Sequence, residues 1–251
     1  MRTACVLSTW NEADFIRWKI NWARNNGVEL YVCDNMSDDG TWEILQKEGI
    51  RCHQYDTRGI FSEHLMQAEV RQAMDALRPD WMIYNGADLF PIISGGIRAA
   101  CNRADSIDAN VIRLKFLSAR YTGEDRQPGE LPFLKYTHCH DDGYLDFIFR
   151  WHKDIRLNGD SVEFPYEKRV LIPDGLMINY GDTKTKERRL ATLMRKQKAW
   201  NDLGENPGLG EHLRAGFERG WLWDKKELQN IWKDSDYRRL LRQLIWEARG
   251  C

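Results

Sequence analysis

The chain has 251 residues and a formal net charge of −1, and its 42% hydrophobic and 30% charged residues are typical of a globular protein with a buried core. No stretch approaches the roughly 20 apolar residues of a membrane-spanning helix, and the N-terminus does not follow the pattern of a signal peptide. We therefore expect a cytoplasmic protein without a transmembrane segment.

The first 90 residues alternate between short apolar strands and amphipathic helices. Strands are predicted at Thr3–Ser8, Val28–Cys33, Ile50–Tyr55 and Trp81–Tyr84. Helices are predicted from Asn11 to Asn26, from Thr41 to Gln46, and from the capping residue Ser62 to Leu77. This alternation predicts parallel strands joined by crossover helices, as in a Rossmann-like α/β sheet.

Polar clusters follow three of the predicted strands, at the point where each strand ends. They are Ser8–Glu12, Asp34–Asp39 and Asp88. In parallel α/β sheets the ligand binds beyond the carboxyl ends of the strands. The sequence therefore predicts that these three clusters meet in one crevice.

The rest of the chain is less regular. A helix is predicted at Gly95–Asn102, and strands are predicted at Asn110–Phe116, Leu145–Trp151 and Lys168–Ile172. Residues 118–143 are predicted to form a long loop, and the chain is predicted to be helical from Lys184 onward, with a break near Gly204–Gly210. We expect one α/β domain over residues 1–183 and a helical C-terminal extension over residues 184–251.

The C-terminal extension is basic and rich in tryptophan. Residues 184–251 hold 16 Lys and Arg against 10 Asp and Glu, whereas residues 1–183 hold 21 against 28. The densest basic run comprises Lys184, Lys186, Arg188, Arg189, Arg195, Lys196 and Lys198. Such a run indicates either a phosphate-bearing ligand or a solvated helix face. Tryptophans such as Trp221, Trp223 and Trp232 are interpreted as helix-packing residues, with stacking on a sugar or base as the alternative.

The cysteines give no sign of a disulfide framework or a zinc site. The six cysteines form no CxxC pair, and Cys5, Cys33 and Cys52 lie inside predicted strands, so we expect buried free thiols. The alternation His138-Cys139-His140 is only weakly diagnostic of zinc.

Three motifs follow one another along the first part of the chain. The pair Asn11-Glu12 opens the first helix, residues 34–41 read Asp-Asn-Met-Ser-Asp-Asp-Gly-Thr, and then come Arg71, Trp81, Asp88 and Phe90. This order resembles the opening of family 2-like GT-A glycosyltransferases, in the nucleotide-diphospho-sugar transferase superfamily. The resemblance covers roughly residues 3–116.

The resemblance implies a GT-A fold, with a mixed, mostly parallel sheet flanked by helices, and a donor site for a nucleotide sugar. Asp34 would accept a hydrogen bond from the base, and Thr9, Trp10 and Glu12 would line the nucleoside pocket. Arg71 would brace the site. Asp88 would ligate Mn²⁺ or Mg²⁺, which neutralises charge that develops on the departing nucleoside diphosphate.

The sequence departs from the family's Asp-x-Asp-Glu-Phe signature at two positions. Gly86 replaces the first Asp, and Leu89 replaces the acidic residue after the second. A His that many relatives carry before an aromatic is also replaced, by Asn179 before Tyr180. A second metal ligand would then come from one of five other residues: His138, His140, Asp141, Asp142 or His152.

The resemblance also implies inverting transfer, in which a carboxylate takes the proton of the acceptor hydroxyl. Many relatives carry a His-Glu pair after a Gly turn, where this chain has Val162-Glu163. Glu163 is therefore one candidate base, and the pair Asp141-Asp142 is the other.

Several functions remain open at this point. The favoured one is a glycosyltransferase whose acceptor is a glycan, a lipid-linked sugar, a protein or DNA. In the DNA case the enzyme would modify an altered base, which the basic, aromatic extension would suit. The alternatives are a non-catalytic nucleotide-sugar or glycan binder with a decayed acidic signature, and a nucleotidyltransferase on the same layout.

Overall fold

A computed structural model of the protein describes residues 1–121, 130–158, 161–164, 167–184, 186–203 and 228–249. Its strands are β1 (Thr3–Thr9), β2 (Glu29–Asp34), β3 (Arg51–Gln54), β4 (Trp81–Tyr84), β5 (Leu89–Ile93), β6 (Val111–Ala119), β7 (His138–Arg150), β8 (Arg156–Asn158), β9 (Ser161–Glu163), β10 (Arg169–Asn179) and β11 (Gln229–Asn230). Its α-helices are α1 (Ala13–Asn25), α2 (Thr41–Lys47), α3 (Glu63–Leu77), α4 (Gly96–Ser106), α5 (Pro132–Lys135), α6 (Lys186–Leu203) and α7 (Ser235–Arg249). A 3₁₀ turn, Gly181–Thr183, precedes α6.

One mixed sheet of nine strands forms the centre of the molecule, in the order β3-β2-β1-β4-β7-β6-β10-β5, with β11 paired to β7. Strands β1 to β4 pair in parallel. Strand β7 runs antiparallel to both β4 and β6, and β10 pairs in parallel with β6 and antiparallel with β5. The expected α/β class, a mixed Rossmann-like sheet flanked by helices, is confirmed. In the described part of the chain, no helix is both long and apolar enough to cross a membrane.

Strand β1 lies between β2 and β4, and its apolar sequence suits that position. Residues Ala4 to Leu7 are completely buried, as expected for a parallel strand covered by helices on both faces. Thr9 pairs with Asp34, so β1 and β2 end at the same edge of the sheet. The polar segments that follow the two strands therefore begin side by side.

The prediction is confirmed for the first four strands and three helices, including the Ser62 cap, whose Oγ accepts a hydrogen bond from the Leu65 backbone at 3.2 Å. It is wrong for much of residues 118–143, where α5 forms and β7 begins at His138. Residues 122–129 of that predicted loop lie outside the described ranges. Strand β10 continues past the predicted end at Ile172, after an irregularity near Pro173.

Strand β5 was also missed, because Pro91 interrupts its pattern. Proline lacks a backbone donor and is tolerated at the edge of a sheet, which is where β5 lies. The carbonyl of Pro91 accepts a hydrogen bond from the indole of Trp22 at 3.0 Å. Helix α7 packs beside this edge, and Gln243 donates to the carbonyl of Ile93 at 3.0 Å.

The thiols of the described cysteines are free, as expected, and Cys5, Cys33, Cys101 and Cys139 are buried. Of the tryptophans in the C-terminal extension, Trp232 packs against the core and donates to the carbonyl of Phe133 at 3.3 Å. The predictions for Trp221, Trp223 and the break near Gly204–Gly210 lie outside the described residues.

Lys19 is a fully buried lysine on the core side of α1. Its ammonium donates to the carbonyl of Leu89 at 2.5 Å and lies over the rings of Trp22 and Phe90, at 4.4 and 5.1 Å from their centroids. Burial lowers its pKa from 10.5 to about 8, although the neighbouring Cys5 and Asp88 favour the charged form. At neutral pH the charged ammonium therefore opposes folding.

Because the buried, charged Lys19 opposes folding, the free energy of unfolding depends on pH, and Lys19→Met is expected to remove this dependence. The unfolded chain holds the proton up to pH 10.5, whereas the folded chain releases it near pH 8, so stability rises between these values. The full effect is about 3 kcal/mol. Urea unfolding of wild type and variant at both ends of this range measures it. If the free energies of unfolding of the two proteins changed with pH in the same way, Lys19 would not be the cause of the pH dependence.

Candidate functional site

A cavity of about 410 Å³ lies at the carboxyl ends of β1 and β4, within the usual size range of small-molecule sites. Its lining comes from the segments after these strands, from the region around α3, from β7 and β10, and from α6. The lining residues are Ser8, Thr9, Trp10, Glu12, Asn35, Phe61, Met66, Tyr84, Asn85, Gly86, Ala87, Asp88, Leu89, Phe147, Asn179, Gly181, Lys184, Arg189, Thr192, Leu193, Arg195 and Lys196. Members of all three predicted polar clusters are among them.

Three charged side chains form what we call the carboxylate–lysine cluster: Glu12, Asp88 and Lys184. The Lys184 ammonium lies between the two acids, 2.5 Å from Glu12 Oε1 and 2.8 Å from Asp88 Oδ2. The three side chains are only 10%, 15% and 16% exposed, respectively. With this little solvent around the pairs, the attraction between the opposite charges is far stronger than in a surface pair, but removing the three groups from water costs free energy.

The two carboxylates of the cluster differ in their proton affinity. Burial raises the pKa of Glu12, and the attraction of Lys184 offsets this only in part. The second oxygen, Oε2, is buried and accepts no hydrogen bond from the residues that the structure describes. Burial also acts to raise the pKa of Asp88, but Lys184 outweighs it and leaves that pKa below 3.8. Burial acts to lower the pKa of Lys184, and the two acids together raise it instead.

The first two sequence motifs hold each other in place. Asn11 and Asp38 exchange two hydrogen bonds of 2.7 and 2.9 Å, and the backbone amide of Asn11 donates to the Ser37 hydroxyl at 2.7 Å. The amide of Glu12 donates to the Thr41 hydroxyl at 2.7 Å. Asn11 has a φ of +55°, a left-handed conformation that Asn adopts more readily than most residues. This turn leaves Glu12 on the cavity wall.

Asp34 is fully buried at the end of β2 and is not part of the cavity lining. Its Oδ1 accepts from the hydroxyls of Thr9 and Ser37, at 3.1 and 2.5 Å. Its Oδ2 accepts from the Ser37 amide at 3.1 Å and from Gln54 at 3.2 Å. In this structure Asp34 therefore braces Thr9, which does line the cavity, and has its oxygens directed at protein donors.

Helix α6 supplies one wall of the cavity, and its Arg195 is a buried cation with 7% exposure. The guanidinium lies 3.9 Å from the centroid of the Trp10 ring. One nitrogen, Nη2, donates to Thr57 and to the carbonyl of Ile60, at 3.3 and 3.1 Å. Nε and Nη1 are buried and have no hydrogen-bond partner among the described residues. Burial lowers the pKa of Arg195 to about 10, so it is charged at neutral pH.

Two further cations of α6 line the cavity beside Arg195, and we call these three residues the basic wall. Arg189 lies 4.1 Å from the Tyr121 ring, and Lys196 lies 4.8 Å from the Phe61 ring. Within the lining, the basic wall and Lys184 outnumber the acids Glu12 and Asp88 by two charges. Such an excess of positive charge in a partly enclosed site favours an anionic ligand.

Other sequence-predicted residues lie outside the cavity lining. Arg71 pairs with Asp75 at 3.0 Å and also donates to the carbonyls of Lys153 and Ile155. His152 lies 3.6 Å from Asp154 and is partly exposed. Glu163 is exposed on β9, opposite Arg156 in the β8-β9 hairpin.

The Asp141-Asp142 pair lies on β7 and is also outside the lining. Asp141 forms an ion pair with Lys115 at 2.8 Å, and this hydrogen bond is the main reason why its pKa is lowered. Asp142 lies 2.7 Å from His140 Nδ1 and 3.6 Å from Arg120. His138, on the same strand, lies 3.4 Å from the Thr137 hydroxyl.

The donor set around Asp88 does not fit a divalent cation in this arrangement. No group of three or more His, Cys, Asp or Glu side chains that could hold a metal occurs within the part of the chain that the structure describes. Two acids do converge, Glu12 and Asp88, but the ammonium of Lys184 lies between them. The predicted second ligand, His152, is not a member of this cluster.

Arg195 and Lys184 were seen in the sequence only as members of a basic run. The run shows that this segment is positively charged, but the spacing of its seven cations does not indicate which of them face a cavity. A partial signal was present, since the run begins shortly after the carboxyl end of β10, and ligands bind beyond the carboxyl ends of parallel strands.

No protein-family model matches the sequence, and no curated protein matches it. Similar solved structures include S. aureus TarS 1–349, at 13% identity and a TM-score of 0.45, over 99% of this chain and 81% of that one. TarS 1–349 in complex with UDP matches at 17% identity and 0.38, over 55% and 40%. Glucosyl-3-phosphoglycerate synthase from Mycobacterium tuberculosis, in complex with Mn²⁺, UDP and glucosyl-3-phosphoglycerate, matches at 18% and 0.35, over 47% and 44%.

The matches to the two complexes therefore span less than half of the length of those chains. All of these identities are 18% or lower, so the function of this chain has to follow from the chemistry of its cavity.

Proposed function

We propose that this chain is a glycosyltransferase that binds a nucleoside-diphosphate sugar in the cavity and transfers the sugar to an acceptor hydroxyl. The observation that carries the proposal is Arg195, a buried guanidinium that lines the cavity with two nitrogens that no described residue satisfies. A buried charged donor without a partner is costly, and an anionic ligand that accepts its hydrogen bonds would remove that cost.

The chemistry of the lining suits the parts of such a donor. The diphosphate carries the negative charge, and the lining offers it the cations Arg195 and Lys184. Trp10, Phe61 and Tyr84 offer aromatic surface for the nucleoside. When the bond to the sugar breaks, negative charge grows on the departing diphosphate, and fixed cations at that point stabilise the transition state.

Transfer also needs a group that accepts the proton of the acceptor hydroxyl. Glu163 and the Asp141-Asp142 pair remain the candidates for an inverting reaction. The acceptor itself remains a prediction from the sequence: a glycan, a lipid-linked sugar, a protein or DNA.

The contacts of the basic helix favour a small anion over a duplex nucleic acid. Arg188 pairs with Asp39 at 2.8 Å, Lys198 donates to the carbonyl of Arg58 at 2.9 Å, and Arg195 lies against Trp10. Arg195 lines the cavity, and Arg188 and Lys198 make their contacts with residues of neighbouring loops. A DNA-binding surface instead has solvent-exposed cations that contact the phosphates of the duplex.

A binding screen tests the donor assignment. Wild type is titrated with UDP, GDP, TDP and CDP and with their sugars, and thermal unfolding is followed. A ligand that binds only the folded protein adds about 2.7 kcal/mol of stability at 100 times its dissociation constant, so a true donor is readily detected. Arg98→Met, which removes an exposed arginine from α4 outside the lining, is the matched control and is expected to respond as wild type does.

The product separates the proposal from its alternatives. Release of a nucleoside diphosphate with a candidate acceptor supports glycosyl transfer, and release of pyrophosphate identifies a nucleotidyltransferase. Binding without turnover on any acceptor favours a non-catalytic binder. If none of the nucleotides shifts the unfolding temperature, the donor assignment is wrong.

A further inference from the structure

We propose that the ammonium of Lys184 takes the place of a divalent cation, so that the diphosphate of the donor is bound without metal. The inference rests on the proposed function for the identity of the ligand. The position of the ammonium itself is independent of that function.

The first step is the geometry of the carboxylate–lysine cluster. A divalent cation at this point would need the oxygens of Glu12 and Asp88. Glu12 Oε1 and Asp88 Oδ2 are instead 2.5 and 2.8 Å from the ammonium. Arg188 lies 3.6 Å from the same oxygen of Glu12 and reinforces the positive charge there. A metal would have to displace a buried lysine from two charge-assisted hydrogen bonds.

The second step is the packing of two glycines around Asp88. A Cβ at Gly86 would lie 2.7 Å from Asp88 Oδ1, and a Cβ at Gly181 would lie 3.1 Å from Asp88 Oδ2. The absence of side chains at both positions lets the carboxylate lie where it meets Lys184. Gly86 is the position at which the resembled family carries an acid, and an acid there would collide with Asp88 in its present orientation.

The third step is the charge of the lining. Lys184, Arg189, Arg195 and Lys196 exceed Glu12 and Asp88 by two positive charges. The diphosphate of a nucleotide sugar carries two negative charges, one on each phosphate. Side chains of this protein can therefore neutralise the ligand without an added ion.

The first test measures the affinity of wild type for UDP by calorimetry, in EDTA and then in Mg²⁺ or Mn²⁺. We expect dissociation constants that agree to within about threefold. Tightening by about tenfold or more with either ion would overturn the inference. If UDP and the other nucleoside diphosphates do not bind in any buffer, the proposed function fails, and the next test still decides the role of Lys184.

The second test uses Mn²⁺ alone, with Mn²⁺ paramagnetic resonance and thermal unfolding as readouts. Lys184→Met leaves the carboxylates of Glu12 and Asp88 facing each other, so we expect this variant to gain an Mn²⁺ site and to be stabilised by the ion. Lys184→Met combined with Asp88→Asn is expected to lose that gain. Mn²⁺ binding to wild type that disappears in Asp88→Asn would overturn the inference, and this comparison does not require the Lys184 variants to fold.

Discussion

Replacing Lys184 by Met is expected to lower the free energy of unfolding by about 3–5 kcal/mol at neutral pH. The ammonium is the shared partner of Glu12 and Asp88, and both acids are at least four-fifths buried. Without it, two carboxylates face each other with little water to screen them. Urea denaturation of wild type and variant measures the difference, because urea leaves the ion pairs unscreened by added salt.

The pH dependence identifies the cause of this loss. In wild type the lowered pKa of Asp88 gives stability that is present above pH 3.8 and is lost as the pH falls. In Lys184→Met the unpaired acids are protonated more readily in the folded state, so the variant gains stability over the same fall. We therefore expect the deficit to shrink toward low pH. Glu12→Gln with Asp88→Asn, added to Lys184→Met, should recover most of the loss at neutral pH. A deficit that persists unchanged in this triple variant would mean that lost packing, rather than charge, is responsible.

Arg195→Met is expected to weaken nucleoside-diphosphate binding by one to two orders of magnitude, about 1.5–3 kcal/mol, the usual worth of hydrogen bonds to a charged group. The same variant should be as stable as wild type or more so, because it removes a buried guanidinium that has two nitrogens without a partner in the described part of the chain. Opposite signs for affinity and stability are typical of residues held for function. Calorimetry with UDP and urea unfolding on the same preparations measure both.

Two comparisons sharpen this prediction. Arg195→Lys keeps the charge but loses the planar fork that binds phosphate, so its affinity should fall between those of wild type and Arg195→Met. Arg98→Met should bind as wild type does. An Arg195→Met variant with unchanged affinity would place the diphosphate away from the basic wall, and one that unfolds readily would show that Arg195 serves α6 packing instead.

The first half of the fold was predictable because its pattern is local. Strand β1 has an apolar centre from Ala4 to Leu7, Ser62 marks the start of α3, and Asn26 and Gly27 mark the end of α1. Each of these signals depends on neighbours in sequence. The carboxyl-edge placement of the polar clusters followed from the parallel topology alone.

Strand β7 was not predictable in the same way. Residues His138–Gly143 are mostly polar and end in a glycine, a composition that indicates a turn. In the structure Gly143 has a φ of +87°. The segment is extended because it pairs with β6 across the middle of the sheet, with an irregular register beside Gly143. That pairing joins parts of the chain that are distant in sequence, and no local pattern reports it.

The acids of the site were found from the sequence, whereas the cations were not resolved within their run. Gly86 was interpreted as the loss of a metal ligand. The structure gives the position a different role, since a side chain there would meet the carboxylate of Asp88 at 2.7 Å. This role of Gly86 depends on the orientation of Asp88 and on the position of Lys184, and the spacing of the motif predicts neither.

The carboxylate–lysine cluster also determines when, during synthesis on a ribosome, the protein becomes competent. Glu12 and Asp88 emerge early, in the segment of the chain that carries 28 acidic and 21 basic residues, and their counterion emerges only with Lys184. Arg195 follows later still, on α6. A nascent chain therefore has every strand of the sheet except β11 before it has a stable site, and a product that ends before Lys184 lacks the counterion of both acids.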